Sequence, residues 1–103
     1  MTLAELNARL QTTGFPVAYR AWPEDAAPAL PFICYFCTGS GSMFADASIY
    51  HGWNEVDVEL YTALKDPEAE AKVEAALSGF RWEKTETYID TERCYMILYE
   101  IEV

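Results

Sequence analysis

Basic residues are scarce in this sequence. Seven Lys and Arg stand against seventeen Asp and Glu, which gives a formal net charge of −10. Proteins that bind nucleic acid neutralise phosphates with clustered Lys and Arg, whereas the basic residues here are scattered from Arg9 to Arg93. We therefore expect no specific nucleic-acid binding. The excess of acid is typical of a solubilising surface, and it also fits a surface that repels or mimics DNA.

Long apolar runs are lacking as well. No stretch of the sequence approaches the roughly 18 consecutive apolar residues that suggest a membrane-spanning helix. The first residues lack the basic start and apolar core of a signal peptide, so we expect a cytoplasmic protein that does not enter a membrane. Cysteine is limited to three residues. An odd number of cysteines in a reducing compartment argues against a disulfide framework.

Few residues are suited to catalysis. His51 is the single histidine, so acid–base chemistry at neutral pH would depend on it or on a carboxylate with a shifted pKa. Its place before Gly52 predicts an exposed turn. No serine lies in a nucleophile-elbow pattern, and the glycine-rich stretch 39–42 lacks the lysine of a phosphate-binding loop. We predict that the protein is not an enzyme and binds no cofactor.

The cysteines form one short spacing, Cys34-x-x-Cys37. A redox dithiol needs a sulfur whose pKa is lowered, usually at a helix N-terminus. This pair lies among bulky apolar residues in a predicted strand, where positions three apart point to opposite faces. With His51 and Cys94 the pair would nominally complete a zinc set, but structural zinc sites usually combine two short spacings. We interpret Cys34, Cys37 and Cys94 as packing residues and predict no metal.

Apolar residues, in contrast, make up 51% of the 103 residues, which suffices for the core of one domain spanning residues 1–103. Two helices are predicted. Thr2 and Glu5 have the spacing of a capping box, and Gly14 ends that helix. Asp66 and Pro67 begin the second helix as its N-cap and first residue. The apolar stripe of this second helix comprises Ala69, Val73, Ala76, Leu77 and Phe80, and its glutamates Glu68, Glu70 and Glu74 lie elsewhere.

Six strands are predicted around these helices. In the clearest one Val56, Val58 and Leu60 face a core, and the acidic residues between them face water. Short turns between consecutive strands indicate an antiparallel sheet. The sequence thus predicts an α+β protein, a mainly antiparallel sheet with two helices packed against it, in the order α-β-β-β-β-α-β-β. The strands cover residues 17–22, 32–37, 43–50, 55–61, 81–88 and 93–103, with turns at 39–42 and 51–52.

Aromatic residues are numerous, with seven Tyr, five Phe and three Trp, and one small core cannot easily cover them all. Tyr and Trp are favoured at protein interfaces. Trp22 and Trp53 lie near predicted turns and are candidate interface residues. Ordinary core packing is the alternative for each.

Six short motifs are distributed over most of the chain: residues 16–19 (PVAY), 31–33 (PFI), 59–62 (ELYT), 65–68 (KDPE), 83–89 (EKTETYI) and 99–101 (YEI). Together they resemble a family of small proteins from long-tailed phages and prophages of Gram-positive bacteria. Members of that family are tail-completion or tail-terminator components encoded in the head-to-tail region of phage genomes. The motifs are structural ones, and they include no catalytic residue.

The resemblance implies an α+β subunit that caps the tail tube as a homo-oligomeric ring and helps join it to the head. Its partners would be the tail tube and head–tail connector proteins, and it would occupy the host cytoplasm during assembly and then the virion. A head–tail adaptor from the same gene neighbourhood is one alternative. An acidic DNA mimic that inhibits a nucleic-acid enzyme is another.

The acidic strand offers candidates for such a role. A ring through which DNA passes should not bind phosphates, and carboxylates facing its lumen would keep DNA mobile by like-charge repulsion. Glu55, Asp57 and Glu59 are therefore candidate lumen or interface residues. The alternative for these three residues is an ordinary solvated sheet face.

Overall fold

The chain folds into one sheet with two helices on a single side of it. The computed structural model describes residues 1–23, 25–45 and 48–103, and all of their side chains except those of residues 44, 45 and 48–51. Within this part the sheet has five strands in the order β1-β2-β3-β5-β4. β1 and β2 are parallel and the other neighbours are antiparallel, so the predicted α+β class is confirmed. The elements are α1 (Leu3–Gln11), β1 (Val17–Tyr19), β2 (Phe32–Ala45), β3 (Ser48–Thr62), α2 (Pro67–Ala76), β4 (Glu83–Ile89) and β5 (Cys94–Glu102).

Both helices begin with the caps that the sequence predicts. The Thr2 hydroxyl accepts a hydrogen bond from the Glu5 amide at 3.1 Å, and the Glu5 carboxylate accepts one from the Thr2 amide at 3.4 Å. The Asp66 carboxylate caps α2 by accepting from the Ala69 amide at 3.1 Å. After α1 the chain passes through Gly14, whose φ of +83° lies in the left-handed region that favours glycine. Neither of these two helices is long and apolar enough to cross a membrane.

The core lies between the helices and one face of the sheet. Strand register aligns Ile33, Leu60 and Ile97 in one row across β2, β3 and β5, and each of these side chains is 1% exposed or less. Burial of one such aliphatic side chain contributes about 1.5–3 kcal/mol. The predicted inward positions of β3 are therefore correct. The core consists of Leu6, Leu10, Ile33, Tyr35, Val56, Val58, Leu60, Ala69, Val73, Leu77, Ile97, Tyr99 and Ile101.

A buried carboxylate joins α2 to the rest of the fold. Glu70 is only 3% exposed, and its two carboxylate oxygens lie 2.6 Å from Lys65 Nζ and 2.9 Å from Lys84 Nζ. Lys84 also pairs with Glu74 at 2.9 Å. The prediction that Glu70 lies away from the packed surface is wrong. β4 presents Lys84 toward α2, and the Glu70 carboxylate balances the charge of this lysine and of Lys65.

Three strands lie between the helices where the sequence predicts four. The predicted turns at residues 39–42 and 51–52 are wrong, since these residues lie inside β2 and β3. The strand predicted at 43–50 is divided between the end of β2 and the start of β3. Two of its residues, 46 and 47, lie outside the described part of the chain.

The glycines that suggested turns are accommodated by the pairing of β2 with β3. A register shift between Cys37 and Gly39 marks a β-bulge, which lets the strand bend without ending. Gly41 pairs with Trp53, and the indole ring occupies the space where a side chain at residue 41 would lie. Glycine is thus required here by a close approach of a neighbouring ring and does not indicate a turn.

The hairpin of β2 and β3 extends beyond the other strands. β5 accompanies β3 only as far as Glu55, and the last backbone hydrogen bonds join Asn54 to Val103 at 2.8 Å. Further out, residues 41–45 and 48–53 pair with each other and, within the described chain, with no third strand. We call these two segments the β-arm. The molecule measures 51 × 28 × 24 Å.

Candidate interaction surfaces

One face of the sheet carries no helix in the part of the chain that the structure describes. The core residues of β2, β3 and β5 all point to the opposite face, where α1 and α2 pack. We call the uncovered side the open face. The structure places Glu55, Asp57 and Glu59 together on it. Its other residues include Phe32, Cys34 and Phe36 of β2, Tyr61 of β3, Met96, Leu98, Glu100 and Glu102 of β5, and Glu83 and Thr85 of β4.

Aromatic side chains occupy one end of the open face. The Phe32 ring lies 5.2 Å from the Tyr61 ring and 5.9 Å from the Trp22 ring, measured between centroids, and the second contact is edge to face. Trp22 comes from the loop after β1 and is half-buried. Its indole nitrogen is buried without a hydrogen-bond partner among the described protein atoms. Trp22 therefore lies at the margin of the face, packed on Phe32.

Carboxylates from three strands meet at the end of the open face that is opposite the aromatic residues. Asp57 lies opposite Glu100, which in turn lies opposite Glu83. Glu55 lies opposite Glu102. Like charges directly opposite one another destabilise a sheet. All five residues line an open groove of about 600 Å³, to which Arg81 contributes one cation, so carboxylates outnumber cations in its wall.

Two carboxylates of the open face, those of Asp57 and Glu59, are partly dehydrated. Burial raises the pKa of Asp57 and of Glu59. The Tyr61 hydroxyl donates a hydrogen bond to Glu59 at 3.0 Å and lowers the pKa of Glu59, while the charge of Asp57 raises it and that of Arg20 lowers it. Ionising these carboxylates costs free energy that a nearby cation would recover.

Arg20 places one cation on the open face. Its guanidinium carbon lies 5.3 Å from the centroid of the Phe36 ring, a cation–π distance. The residue has a φ of +69°, and its amide donates to the Tyr35 carbonyl at 2.7 Å, which fixes where the side chain starts. The chain thus binds one of its own guanidinium groups on this surface.

Trp53 lies further along β3, at the base of the β-arm. It is half-buried and lines an open groove of about 800 Å³ together with Met1, Phe80 and Val103. Trp22 packs on Phe32, and Trp53 packs on Gly41. Phe32 and Gly41 are nine residues apart in β2, which corresponds to about 30 Å at about 3.3 Å per residue. The structure therefore does not bring the two predicted interface tryptophans together.

The cysteines are separated by the strand geometry. Cys34 and Cys94 lie on the open face and are 4% exposed, whereas Cys37 packs against the core on the helix side. Burial, followed by the charge of Glu59, raises the pKa of Cys34 to about 11, the opposite of what a redox thiol needs. No three or more His, Cys, Asp and Glu side chains among the described residues are arranged to hold a metal ion. The side chain of His51 lies outside that description.

Two features of the open face could not be predicted from the sequence. Alternation along β5 places Glu100 and Glu102 on one side of their strand, where they are expected to be solvated, but it does not show that they extend the row of Glu55 and Asp57. Only the pairing of β3 with β5, which joins strands separated by a helix, shows that the two acidic rows adjoin. Arg20 was missed because its position depends on the parallel pairing of β1 with β2.

The comparisons with known proteins leave the family open. No family model matches the chain, and no curated protein matches it.

Proposed function

We propose that this chain is a virion assembly protein of a long-tailed phage or prophage, a tail-completion or tail-terminator subunit. In this role it caps the tail tube as a homo-oligomeric ring and helps join the tail to the head. Its partners are tail-tube and head–tail connector proteins. It works by protein contacts and performs no catalysis.

The β-arm is the observation that carries this proposal. A two-stranded ribbon without further strands is at best marginally stable in water, and its outer edges expose backbone groups that pair readily with another chain. Here residues 41–45 and 48–53 form such a ribbon beyond the end of β5. A subunit that completes its sheet by contact with a neighbour has a use for this arm, and an isolated soluble domain has none.

The sequence motifs that resemble the phage family add support. The KDPE motif supplies Lys65, which binds the buried Glu70, and the cap Asp66. The EKTETYI motif is strand β4, and the YEI motif lies in β5 beside it. These three motifs therefore belong to the framework that fixes α2 on the sheet, and their likeness to the family concerns the fold of a subunit.

Electron microscopy of a lysate from a host that lacks the gene tests the proposal. Tails of uncontrolled length beside filled heads without tails are the result expected of a tail-completion protein. Finished tails of normal length that fail to attach would instead assign the head–tail adaptor role. Normal infectious particles would overturn the structural role.

A second candidate is favoured by the carboxylates of the open face. Negative charges repeated along strands resemble the phosphates of a nucleic acid, so an acidic inhibitor of a nucleic-acid enzyme would present such a surface. This candidate predicts binding to a basic enzyme with strong salt dependence. Normal particles in the deletion lysate would move it ahead of the assembly role.

A further inference from the structure

We propose that the open face is a docking surface for a protein segment that carries arginine side chains. The segment would lie across the aromatic and carboxylate rows, with its guanidinium groups at the carboxylate end. That the partner is another assembly protein rests on the proposed function. That the partner carries arginine is argued from the residues of the open face alone.

The charges of the open face are unbalanced. Asp57, Glu100 and Glu83 are successive neighbours across three strands, and Glu55 faces Glu102 in the adjacent row. The ion pairs found in the described residues all involve Lys65 or Lys84, which contact the helix side of the sheet. Facing carboxylates weaken strand pairing, and Arg81 is one cation beside five carboxylates in the groove that they line, so a cationic partner would stabilise both the sheet and the complex.

The chain itself shows how a guanidinium binds here. Arg20 lies over Phe36 at 5.3 Å and acts on Glu59 by its charge. Asp57 is the strand neighbour of Phe36 on one side and of Glu100 on the other. A second guanidinium next to Arg20 would therefore meet carboxylates on two adjacent strands. Burial already raises the pKa of Asp57, which means that a cation close to it gains more than one at a fully hydrated carboxylate.

Arginine suits this surface better than lysine. A guanidinium is planar, stacks on aromatic rings and binds carboxylates through two parallel hydrogen bonds, whereas an ammonium is a compact and strongly hydrated charge. The open face offers both kinds of partner within one row, an aromatic ring at Phe36 and carboxylates at Asp57 and Glu100. Lysine would satisfy only the charge.

Other occupants fit the observations less well. DNA has the same sign of charge as the face. A second copy packed symmetrically would bring the same patch of each chain together, and its carboxylates would repel. A metal ion needs converging ligands, and the described residues contain no such group. A basic protein segment is the occupant that the charge complementarity selects.

Binding of synthetic peptides to the full chain tests the inference. The probes are a peptide in which arginine alternates with serine, the same peptide with lysine, and the same peptide with the neutral isostere citrulline. We expect the arginine peptide to bind about tenfold more tightly than the lysine peptide, with an affinity that falls as salt is raised. Citrulline should abolish binding. Equal affinity for the arginine and lysine peptides, or no binding of either, would overturn the proposal.

Matched variants distinguish binding at the open face from binding that depends only on the net charge of the protein. Asp57→Asn/Glu100→Gln removes two charges from the open face, and Glu68→Gln/Glu92→Gln removes two from exposed positions on α2 and on the β4–β5 turn. We expect the first pair to weaken the arginine peptide by about tenfold and the second pair to leave it within about twofold. Equal losses in both would assign the binding to net charge and contradict a docking face.

The peptide-binding experiments and the microscopy of the deletion lysate test different proposals, and either proposal can fail without the other. Peptide binding at Asp57 and Glu100 together with normal particles would refute the assembly role and leave the docking surface standing. Aberrant tails without peptide binding would support the role and refute this surface. Sedimentation equilibrium of the chain alone covers the second-copy alternative, since a dimer that Asp57→Asn/Glu100→Gln strengthens or weakens would place another copy on the face and overturn the proposal.

Discussion

The indole ring of Trp53 lies against Gly41 on the neighbouring strand, in the position that a side chain at residue 41 would occupy. An aromatic ring that covers a glycine across two strands protects backbone that would otherwise be exposed. This contact lies at the point where the β-arm leaves the sheet. Packing of the ring on the glycine therefore holds the two strands together at the base of the arm.

Replacing Gly41→Ala should destabilise the base of the arm. The new methyl group would overlap the Trp53 ring, and displacing a packed side chain costs about 1–3 kcal/mol. Gly52→Ala is the matched control, since a methyl group there would meet only the Gly41 carbonyl oxygen at 3.8 Å. Chemical unfolding followed by tryptophan fluorescence measures both. Equal unfolding free energies for the two variants would contradict the packing of Trp53 on Gly41.

The same contact explains why the strand pattern of the hairpin was difficult to predict. Glycine and serine between residues 39 and 42 usually indicate a turn, and only a partner ring from the opposite strand makes glycine favourable inside a strand. That ring lies twelve positions later in the chain, at residue 53. Local pattern therefore places helix caps and the alternating part of β3 correctly, and it fails where distant side chains determine the backbone.

The open face was predictable only in part, for a related reason. Alternation along β3 places Glu55, Asp57 and Glu59 on one side, and this is a property of a single strand. Their meeting with Glu100 and Glu102 depends on which strands pair, and β3 pairs with β5 across an intervening helix and strand. The buried position of Glu70 likewise depends on lysines from two other segments.

Removing the charge of Glu70 should destabilise the protein. Burial alone would raise the pKa of Glu70, but the ammonium groups of Lys65 and Lys84 outweigh burial and lower it. We expect Glu70→Gln to lose about 1.5–3 kcal/mol at pH 7, the usual range for a hydrogen bond to a charged group. Glu68→Gln, an exposed glutamate in the first turn of the same helix, should change stability by less than about 0.5 kcal/mol. Urea unfolding compares them, and similar losses would refute a specific role for Glu70.

The stability difference between the natural chain and Glu70→Gln should depend on pH in a defined direction. A carboxyl group whose pKa is lowered on folding stabilises the folded state above its unfolded pKa, and this contribution is lost as the pH falls through the folded value. The gap in stability between the natural chain and Glu70→Gln should therefore be full above the ordinary value of 4.5 and should narrow below it. A gap that stays constant from pH 7 to strongly acidic conditions would show that the charge of Glu70 is not its cause.

Asp57 should respond in the opposite direction. Burial raises its pKa above the ordinary value of 3.8, so the folded state binds protons more readily than the unfolded chain. The contribution of this group to stability is therefore greatest below the unfolded pKa and decreases as the pH rises through the folded pKa. Asp57→Asn removes the charge opposite Glu100, and we expect a gain of about 0.2–1 kcal/mol at pH 7 that disappears in acid. Thermal unfolding across this pH range measures the gain, and a loss of stability at pH 7 would show that the charge of Asp57 is not unfavourable in the folded state.

The three cysteines should differ in their reactivity toward iodoacetamide. Thiols react as thiolates, and burial with the charge of Glu59 raises the pKa of Cys34 to about 11. Burial followed by the charge of Glu92 raises the pKa of Cys94. Cys37 is less deeply buried than either. At mildly alkaline pH in the folded protein we therefore expect Cys37 to be alkylated first, with Cys34 slower by at least about tenfold.

Mass spectrometry of peptides after timed alkylation resolves the three positions, and the denatured chain provides the control because all three thiols are then equally accessible. Glu59→Gln adds a second test. Burial is the larger cause of the raised pKa of Cys34, and the charge of Glu59 is the smaller one. This variant should therefore speed the alkylation of Cys34 only slightly. If Cys34 were instead the most reactive thiol of the folded protein, its sulfur would be a stabilised thiolate. The interpretation of Cys34 as a packing residue of the open face would then be wrong, and redox chemistry would become the better explanation for the Cys34-x-x-Cys37 spacing.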